Sequence, residues 1–305
     1  MVLRSRRTRV ALVSTAAALF GLWYLFLYEP SYHGLIKPAT RTLVFAHRGF
    51  GNYAPDNSLS GALLAMQAGM DGVDMDGQLS ADGELVIFHD LSVDRLTEST
   101  GRVNSKTLRD LLALDLGAKY GHGFKNTFVA TFDDFVRAIK GKGILMVELK
   151  VPGLRDTGIE QKAVAIIRKY DAQDFVYLSS FNPIVLYRLK QLDRAIRTVY
   201  IFMDTNWNKQ LLAEIRAEDR VNLPWVLRKE FFRRAIRKLI HPDLLSVNYQ
   251  VDERTIGTLL RRGYPIFLWT PEEERDLRWA LAKRPYGVIS DEPQLAKQLR
   301  DRPAR

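Results

Sequence analysis

Reactive side chains are concentrated between residues 47 and 90, where each lies in an apolar run or directly after one. An apolar run that ends in polar residues is typical of a buried strand that delivers those side chains to the rim of a sheet. Two imidazoles, a guanidinium and several carboxylates at strand ends are suited to metal-assisted chemistry on a phosphate ester. The residues concerned are His47, Arg48, Asp74, Asp76 and His89.

The carboxylates of this segment are spaced for a metal ion. Asp74 and Asp76 are two residues apart, so on a strand they project from the same face. Two carboxylates on one face repel each other unless a cation lies between them, and hard oxygen ligands suit Mg²⁺ or Ca²⁺. We therefore predict a divalent cation at the end of this strand.

A predicted hairpin brings the two histidines together. Asp82-Gly83 is a turn signal, so the run 84–88 is expected to return antiparallel to the strand before it. This return carries His89 towards the end of the sheet where His47 lies. Two histidines flanking a metal-bound phosphate are placed to act as general base and general acid.

Ordered motifs across the chain resemble those of the glycerophosphodiester phosphodiesterase family. The family's His-Arg-Gly, Pro-Glu-Asn-Thr, Glu-x-Asp, Asp-Gly and His-Asp motifs have counterparts at 47–49, 55–58, 74–76, 82–83 and 89–90. Its Glu-x-Lys, Ser-Phe, Trp-Thr and Asp-x-Pro segments have counterparts at 148–150, 180–181, 269–270 and 291–293. The resemblance extends from residue 43 to residue 295.

The resemblance implies a role for each matching residue. The family's metal ligands correspond to Asp74, Asp76 and Glu148, with Asp56 often counted beside them. Its acid–base pair corresponds to His47 and His89, its phosphate-facing cations correspond to Arg48 and Lys150, and Trp269 is predicted to form a wall of the substrate pocket.

Three positions depart from the family pattern. The family usually has Glu where this chain has Asp56 and Asp74, so both carboxylates lie one methylene further back. Flexible coordination, as with Ca²⁺, tolerates such a shift, but the departures leave the metal and the turnover open. Gly77 replaces a residue that is more usually β-branched and is expected to weaken its strand.

Several candidates also have purely structural interpretations. Asp90 is suited to a cap or a turn, Lys150 to a solvated strand end, and Trp269 to packing at the mouth of a barrel. The remaining histidines lie outside every motif and are interpreted as structural; they are His33, His122 and His241.

An apolar segment near the N-terminus predicts a membrane anchor. Residues 10–28 carry no charge, follow an arginine-rich tail at 1–9, and are long enough to span a hydrocarbon core. Phe26, Leu27 and Tyr28 end the run, whereas a cleaved signal peptide has small residues there, so an uncleaved signal anchor is favoured. The positive-inside rule places the tail in the cytoplasm and the C-terminal domain outside it, in the periplasm if the source is Gram-negative.

The rest of the chain predicts one α/β barrel. After a linker at 29–41, residues 42–300 have the length of a (β/α)₈ TIM barrel rather than of two domains. The turn-rich stretch 91–129 lacks a core strand and is predicted to form a small inserted lobe over the pocket. Strand-like runs recur at 43–46, 72–76, 144–149, 175–180, 197–202, 244–248, 265–269 and 286–290, with 84–88 as an extra strand. Helical stretches separate most of them, at 59–69, 131–140, 159–170, 183–192, 272–283 and 292–300.

The net charge of +10 does not indicate a nucleic-acid partner, because the basic residues are scattered rather than interleaved with aromatics. Residues 227–240 are the exception and form a basic, amphipathic stretch. It is interpreted as an ordinary barrel helix with a solvated face, in preference to a helix that lies on an anionic bilayer. The chain has no cysteine, which is compatible with either side of a membrane.

The predicted activity is metal-dependent hydrolysis of glycerophosphodiesters to sn-glycerol 3-phosphate and an alcohol, with water or the substrate's own hydroxyl as nucleophile. One alternative is a lysophospholipase D-type enzyme that acts on acylated lysophospholipids, which the anchor supports. The other is a catalytically degenerate, membrane-tethered barrel that binds phosphodiesters, which the two Glu-to-Asp departures suggest.

Overall fold

Eight parallel strands close into a barrel. The protein is represented by a computed structural model that describes residues 6–34, 36, 39–151, 153–204, 227 and 229–301, and only the backbone of residues 6–9 and 122. The barrel closes because the first strand pairs with both the second and the last. The described strands are β1 (Leu43–His47), β2 (Gly72–Leu79), β3 (Leu85–Ile87), β4 (Ile144–Leu149), β5 (Val176–Ser180), β6 (Arg197–Phe202), β7 (Leu244–Asn248), β8 (Ile266–Trp269) and β9 (Gly287–Ser290).

Strand β3 lies outside this ring and pairs antiparallel with the end of β2, as predicted for the run 84–88. Gly77 lies where β2 contacts both β3 and β4. A Cβ at Gly77 would come within 3.2 Å of side-chain atoms of Leu85 and Val147. Close packing therefore accounts for a glycine at this position of the strand.

Helices connect the barrel strands, which confirms the predicted (β/α)₈ architecture. Glu253–Arg261 was not among the predicted helices. It is capped by Asp252 and buries Ile256 and Leu259. The connecting helices are Leu59–Gln67, Phe132–Ile139, Ile159–Lys169, Pro183–Leu192, Glu230–Ile240, Glu253–Arg261 and Glu274–Ala282, and Pro293–Asp301 follows the last strand.

Alternation along the strands separates two apolar layers. In β1, Val44 and Ala46 pack in the main core with the helices, whereas Phe45 belongs to a second cluster with residues of the other strands. That second cluster fills the interior of the barrel. Residues two positions further along the strands, such as His47, therefore lie above it at the C-terminal rim.

The segment between β3 and the helix Phe132–Ile139 forms a small lobe with its own apolar cluster, built around Val93, Val103 and Leu111. The lobe contains the short helix Leu108–Leu112. His89, the second predicted catalytic histidine, lies two residues after the end of β3, at the start of this segment.

The N-terminal segment is a helix over Arg6–Leu22 that continues as a π-helix over Trp23–Leu27. Val10–Leu27 is long and apolar enough to cross a membrane, a test that a signal sequence would also pass. Residues 1–5 of the predicted basic tail, and residues 35, 37 and 38 of the predicted linker, lie outside the described residues.

The basic face of helix Glu230–Ile240 is partly buried, which differs from the prediction. Its basic face was predicted to be solvated, but Arg233 and Arg237 are only 1% and 2% exposed. That prediction is wrong for these two residues, because Glu230 of the same helix and carboxylates from other elements neutralise them inside the protein. Arg228 lies outside the described residues.

Candidate active site

The strand register gathers the predicted carboxylates at the C-terminal rim of the barrel. Asp74 lies opposite His47, and Asp76 lies opposite Glu148. Because these strands are parallel, their polar ends meet at one rim. The Lys150 ammonium lies between two of the carboxylates, with Nζ 3.0 Å from an Asp76 oxygen and 3.2 Å from a Glu148 oxygen.

The carboxylates differ in how firmly they hold a proton. Desolvation in the barrel mouth, together with the charges of Asp76 and Glu148, raises the pKa of Asp74 to about 7. Desolvation also raises the pKa of Glu148, although Lys150 opposes it. Desolvation acts in the same direction on Asp76, but the charge of Lys150 and other cations outweighs it and lowers the pKa of this carboxyl.

These carboxylates have the chemistry of a divalent-cation site. Two of them have pKa values raised by desolvation, and an added cation favours their charged forms. Their oxygens suit Mg²⁺ or Ca²⁺. Within the part of the chain that the structure describes, no three acidic or histidine side chains already enclose an ion position. A cation bound by Asp76 and Glu148 would compete with the Lys150 ammonium.

His47 is held by a carboxylate from the far end of the sequence. Its Nδ1 lies 2.9 Å from Oδ1 of Asp291, which directly follows β9. Desolvation lowers the pKa of His47, but the charge of Asp291 and its hydrogen bond outweigh this and raise the pKa overall. The close approach requires Gly51, whose φ is +54° and whose added Cβ would lie 2.2 Å from the Asp291 carbonyl oxygen.

His89 is held through both ring nitrogens. Nδ1 lies 2.7 Å from Asp90 Oδ1, and Nε2 lies 2.8 Å from Arg48 Nη2. Since a guanidinium only donates, Nε2 is the acceptor and Nδ1 carries the proton. Desolvation and the charge of Lys150 lower the pKa of His89 to about 4, so the ring is neutral near pH 7.

Arg95 of the lobe connects two parts of the site. Its Nε donates to Asp90 Oδ2 at 2.6 Å, and its Nη2 donates to Asp56 Oδ2 at 2.8 Å. The same Asp56 oxygen accepts from Arg48 Nη1 at 3.1 Å. The structure therefore places Asp56, predicted as an additional metal ligand, between two arginines.

Two amides fix the backbone of the site. Asn57 donates to Asp76 Oδ2 at 3.0 Å and accepts from the Asp76 N–H at 2.8 Å. Gln78 Nε2 donates to the carbonyls of residues 88–90 at 2.7 to 3.1 Å. These bonds hold strand β2, which carries Asp74 and Asp76, against the turn that carries His89.

Comparison with known proteins identifies the family. A model of the glycerophosphoryl diester phosphodiesterase family matches residues 47–295. The chain belongs to this family. The glycerophosphodiester phosphodiesterase of Caldanaerobacter subterraneus is 30% identical over 257 residues, which are 83% of this chain and 96% of that protein. The chain is therefore an enzyme of phosphodiester hydrolysis.

Solved structures of similar proteins share the barrel. A phosphodiesterase of Oleispira antarctica, in complex with the product sn-glycerol-3-phosphate, superposes with a TM-score of 0.70 at 24% identity. The match covers 86% of this chain and 98% of that one. The glycerophosphodiester phosphodiesterase of Agrobacterium tumefaciens gives a TM-score of 0.65 at 21% identity, over 84% of this chain and 99% of that one.

Trp269 ends β8 at the C-terminal rim of the barrel. Its ring meets Phe181 edge-on, with centroids 5.9 Å apart. Contact of Trp269 with substrate stays a prediction.

Two residues with clear contacts in the site received no role from the sequence. Asp291 lies in a family motif, so the motif contained a signal for it. Arg95 lies in none of the motifs, and no spacing pattern links it to Asp56 or Asp90.

Proposed function

We propose that this family member hydrolyses glycerophosphodiesters to sn-glycerol 3-phosphate and an alcohol, with His47 and His89 as the acid–base pair. The observation that carries the proposal is the pair of imidazole–carboxylate contacts made by His47 at the end of β1 and by His89 just after β3. His47 contacts Asp291 at 2.9 Å, and His89 contacts Asp90 at 2.7 Å. Asp74 of β2 lies opposite His47, and the Asp76 carbonyl accepts from the N–H of Phe88, which precedes His89.

The hydrogen bonds favour different roles for the two histidines. His89 is neutral with a lone pair on Nε2, so it is the general base once a substrate phosphate takes over its Arg48 partner. The raised pKa of His47 favours its protonated form, which makes it the general acid for the leaving alcohol. The side chains of Asp291 and Asp90 keep each ring in orientation.

Asp74, Asp76 and Glu148 would hold the divalent ion, Mg²⁺ or Ca²⁺. When bound, the ion supplies positive charge that neutralises the phosphodiester and stabilises the charge developing on its oxygens. Arg48 and Lys150 add fixed positive charge at the same rim. Asp56, which binds Arg48 and Arg95, orients the guanidinium that meets the phosphate.

The N-terminal helix supports a membrane location. In this proposal residues 10–28 are an uncleaved anchor, the N-terminal tail is cytoplasmic and the barrel lies outside the cytoplasm. The support is the apolar length of Val10–Leu27 and the arginines that precede it.

A lysophospholipid substrate is the second candidate. Tyr120 of the lobe is exposed over 42% of its surface and donates its hydroxyl to the Asn52 carbonyl at 2.6 Å, beside the site. Phe128 and Leu112 of the same lobe are also exposed. Large apolar side chains left in solvent on the lobe suit a substrate that still carries an acyl chain.

The test is a product assay on the purified full chain in detergent, with Mg²⁺, Ca²⁺ or EDTA. Glycerophosphocholine should yield glycerol 3-phosphate in the presence of a metal and none in EDTA. Choline release from lysophosphatidylcholine, without hydrolysis of glycerophosphocholine, would favour the second candidate. Hydrolysis of neither substrate with either metal would contradict both and favour a barrel that only binds.

A further inference from the structure

Residues 23–32, here called the joint, connect the apolar helix to the side of the barrel and not to the catalytic rim. Phe26 stacks on Phe231 of helix Glu230–Ile240, with ring centroids 4.5 Å apart and planes 6° from parallel. Lys238 of the same helix donates to the Leu25 carbonyl at 2.9 Å. The end of the apolar helix is thus bound through both aromatic and polar contacts.

A buried carboxylate fixes the joint. Glu29 is 5% exposed, and its oxygens accept hydrogen bonds from the Arg237 guanidinium and, at 2.9 Å, from the Tyr264 hydroxyl. Arg237 is itself buried and also pairs with Glu230. A buried charge is stable only while its partners stay in place, so a freely moving linker would not keep Glu29 there.

The contacts continue beyond Glu29. The Tyr32 N–H donates to the Arg262 carbonyl at 2.7 Å, and its hydroxyl donates to the Asp243 carbonyl at 2.7 Å. These partners lie on two further elements, the end of helix Glu253–Arg261 and the start of β7. The joint is therefore attached to three consecutive elements of the barrel wall.

Exposed aromatic residues place the joint at a membrane surface. Trp23 and Tyr24 are 45% and 42% exposed and lie at the barrel end of the apolar helix. Tryptophan and tyrosine side chains favour the boundary between lipid and water. The helix Glu230–Ile240 thus meets the anchor at the depth of the lipid headgroups.

We propose that the joint locks the barrel to its anchor, so that the protein meets the lipid bilayer as one rigid body in one orientation. This rests on the membrane location proposed above, but not on the catalytic roles. The partner is the bilayer itself, and the face of the barrel that turns towards it is the one built on helix Glu230–Ile240.

The test measures the distance between anchor and barrel in the full chain. Because the sequence has no cysteine, Ser14→Cys and Leu64→Cys introduce two unique spin-label sites, one in the apolar helix and one across the barrel from the joint. Electron–electron resonance in lipid nanodiscs should give a single narrow distance distribution. Glu29→Ala should broaden it and remove the single peak.

The matched control is Glu253→Ala, which removes an exposed glutamate that pairs with Lys283 on the barrel surface. It should leave the distribution narrow. Phe26→Ala is a second joint variant that retains every charge and should also broaden the distribution. Far-UV circular dichroism of each variant serves as the check that the barrel is folded.

The outcomes separate the claims. Wild-type chain that does not insert into nanodiscs would contradict the anchor. A broad distribution for inserted wild type, or a narrow one for both joint variants, would overturn the lock. None of these readouts depends on metal binding or on the roles of the histidines.

Discussion

The joint and the catalytic rim each contain a cluster of buried opposite charge, and the two clusters differ in their ratio of carboxylates to cations. In the joint cluster, the two carboxylates of Glu29 and Glu230 pair with the two guanidiniums of Arg233 and Arg237. In the rim cluster, the Lys150 ammonium contacts Asp76 and Glu148, Asp74 is a third carboxylate of the same rim, and two of the three carboxylates have raised pKa values. The balanced cluster stabilises the fold, whereas the unbalanced cluster is the one where we propose that a cation binds.

The largest expected effect is at the rim. His47→Ala should lower turnover of glycerophosphocholine by about two orders of magnitude or more, because it removes a general acid. Steady-state kinetics on the purified full chain measure the effect. His33→Ala, which changes an exposed histidine outside every motif, should retain wild-type turnover; a near wild-type rate for His47→Ala would refute the assigned role.

A substitution in the joint should lower stability and leave turnover unchanged, the opposite of a substitution at the rim. Glu29→Ala removes charge-assisted hydrogen bonds from Arg237 and Tyr264, and should lower the free energy of unfolding by about 2 kcal/mol. Turnover of a water-soluble substrate should not change. Denaturant unfolding in detergent measures the free energy of unfolding. If Glu29→Ala lost turnover but kept its stability, the joint cluster would have a catalytic role rather than a structural one, which would contradict the comparison.

The lobe is expected to contribute less than the histidines. Arg95→Ala removes the guanidinium that orients Asp90 and Asp56, so kcat should fall by about tenfold with KM nearly constant. Arg95→Lys keeps the positive charge near Asp90 and Asp56, so its kcat should lie between those of Arg95→Ala and the wild type. Arg109→Ala, which changes an exposed arginine of the same lobe, is the control, and an equal loss there would assign the effect to lobe stability.

The smallest effect belongs to charges at the surface. Glu253 pairs with Lys283, but its side chain is 64% exposed. Glu253→Ala should change the free energy of unfolding by at most about 0.5 kcal/mol, because water and salt screen such pairs. If Glu253→Ala lowered the free energy of unfolding as much as Glu29→Ala does, burial would not explain why the Glu29 contacts stabilise the protein.

The sequence predicts the barrel well because its strands are short apolar runs that end in polar residues. All eight predicted runs coincide with barrel strands, and 84–88 forms the antiparallel β3. Helix Glu253–Arg261 escaped prediction because threonines and Gly257 weaken its local helical signal. Its apolar face is stabilised by packing against the barrel.

The candidate site is predictable where side chains lie on neighbouring strands. The spacing of Asp74 and Asp76 placed them on one face, and the strand register sets the second of them opposite Glu148. Asp291 lies 244 residues from its partner His47, and Arg95 comes from an irregular lobe. Such contacts depend on tertiary packing, which local periodicity does not encode.

The linker shows the same limit. Residues 29–41 are predicted only as a linker between the apolar helix and the barrel. The described structure shows that Glu29 is buried, since two sequence-distant residues, Arg237 and Tyr264, bind it.

The measurement that tests the rim cluster most directly is calorimetric titration of the protein with Mg²⁺ and Ca²⁺ at pH 8 and at pH 6. Asp74 must lose its proton to bind an ion, and its pKa is raised to about 7. Below pH 7 the affinity should therefore fall by about tenfold per pH unit, with release of a proton on binding. Asp74→Asn should abolish this pH dependence. Absence of binding at pH 8, or equal wild-type affinity at the two pH values, would contradict the account.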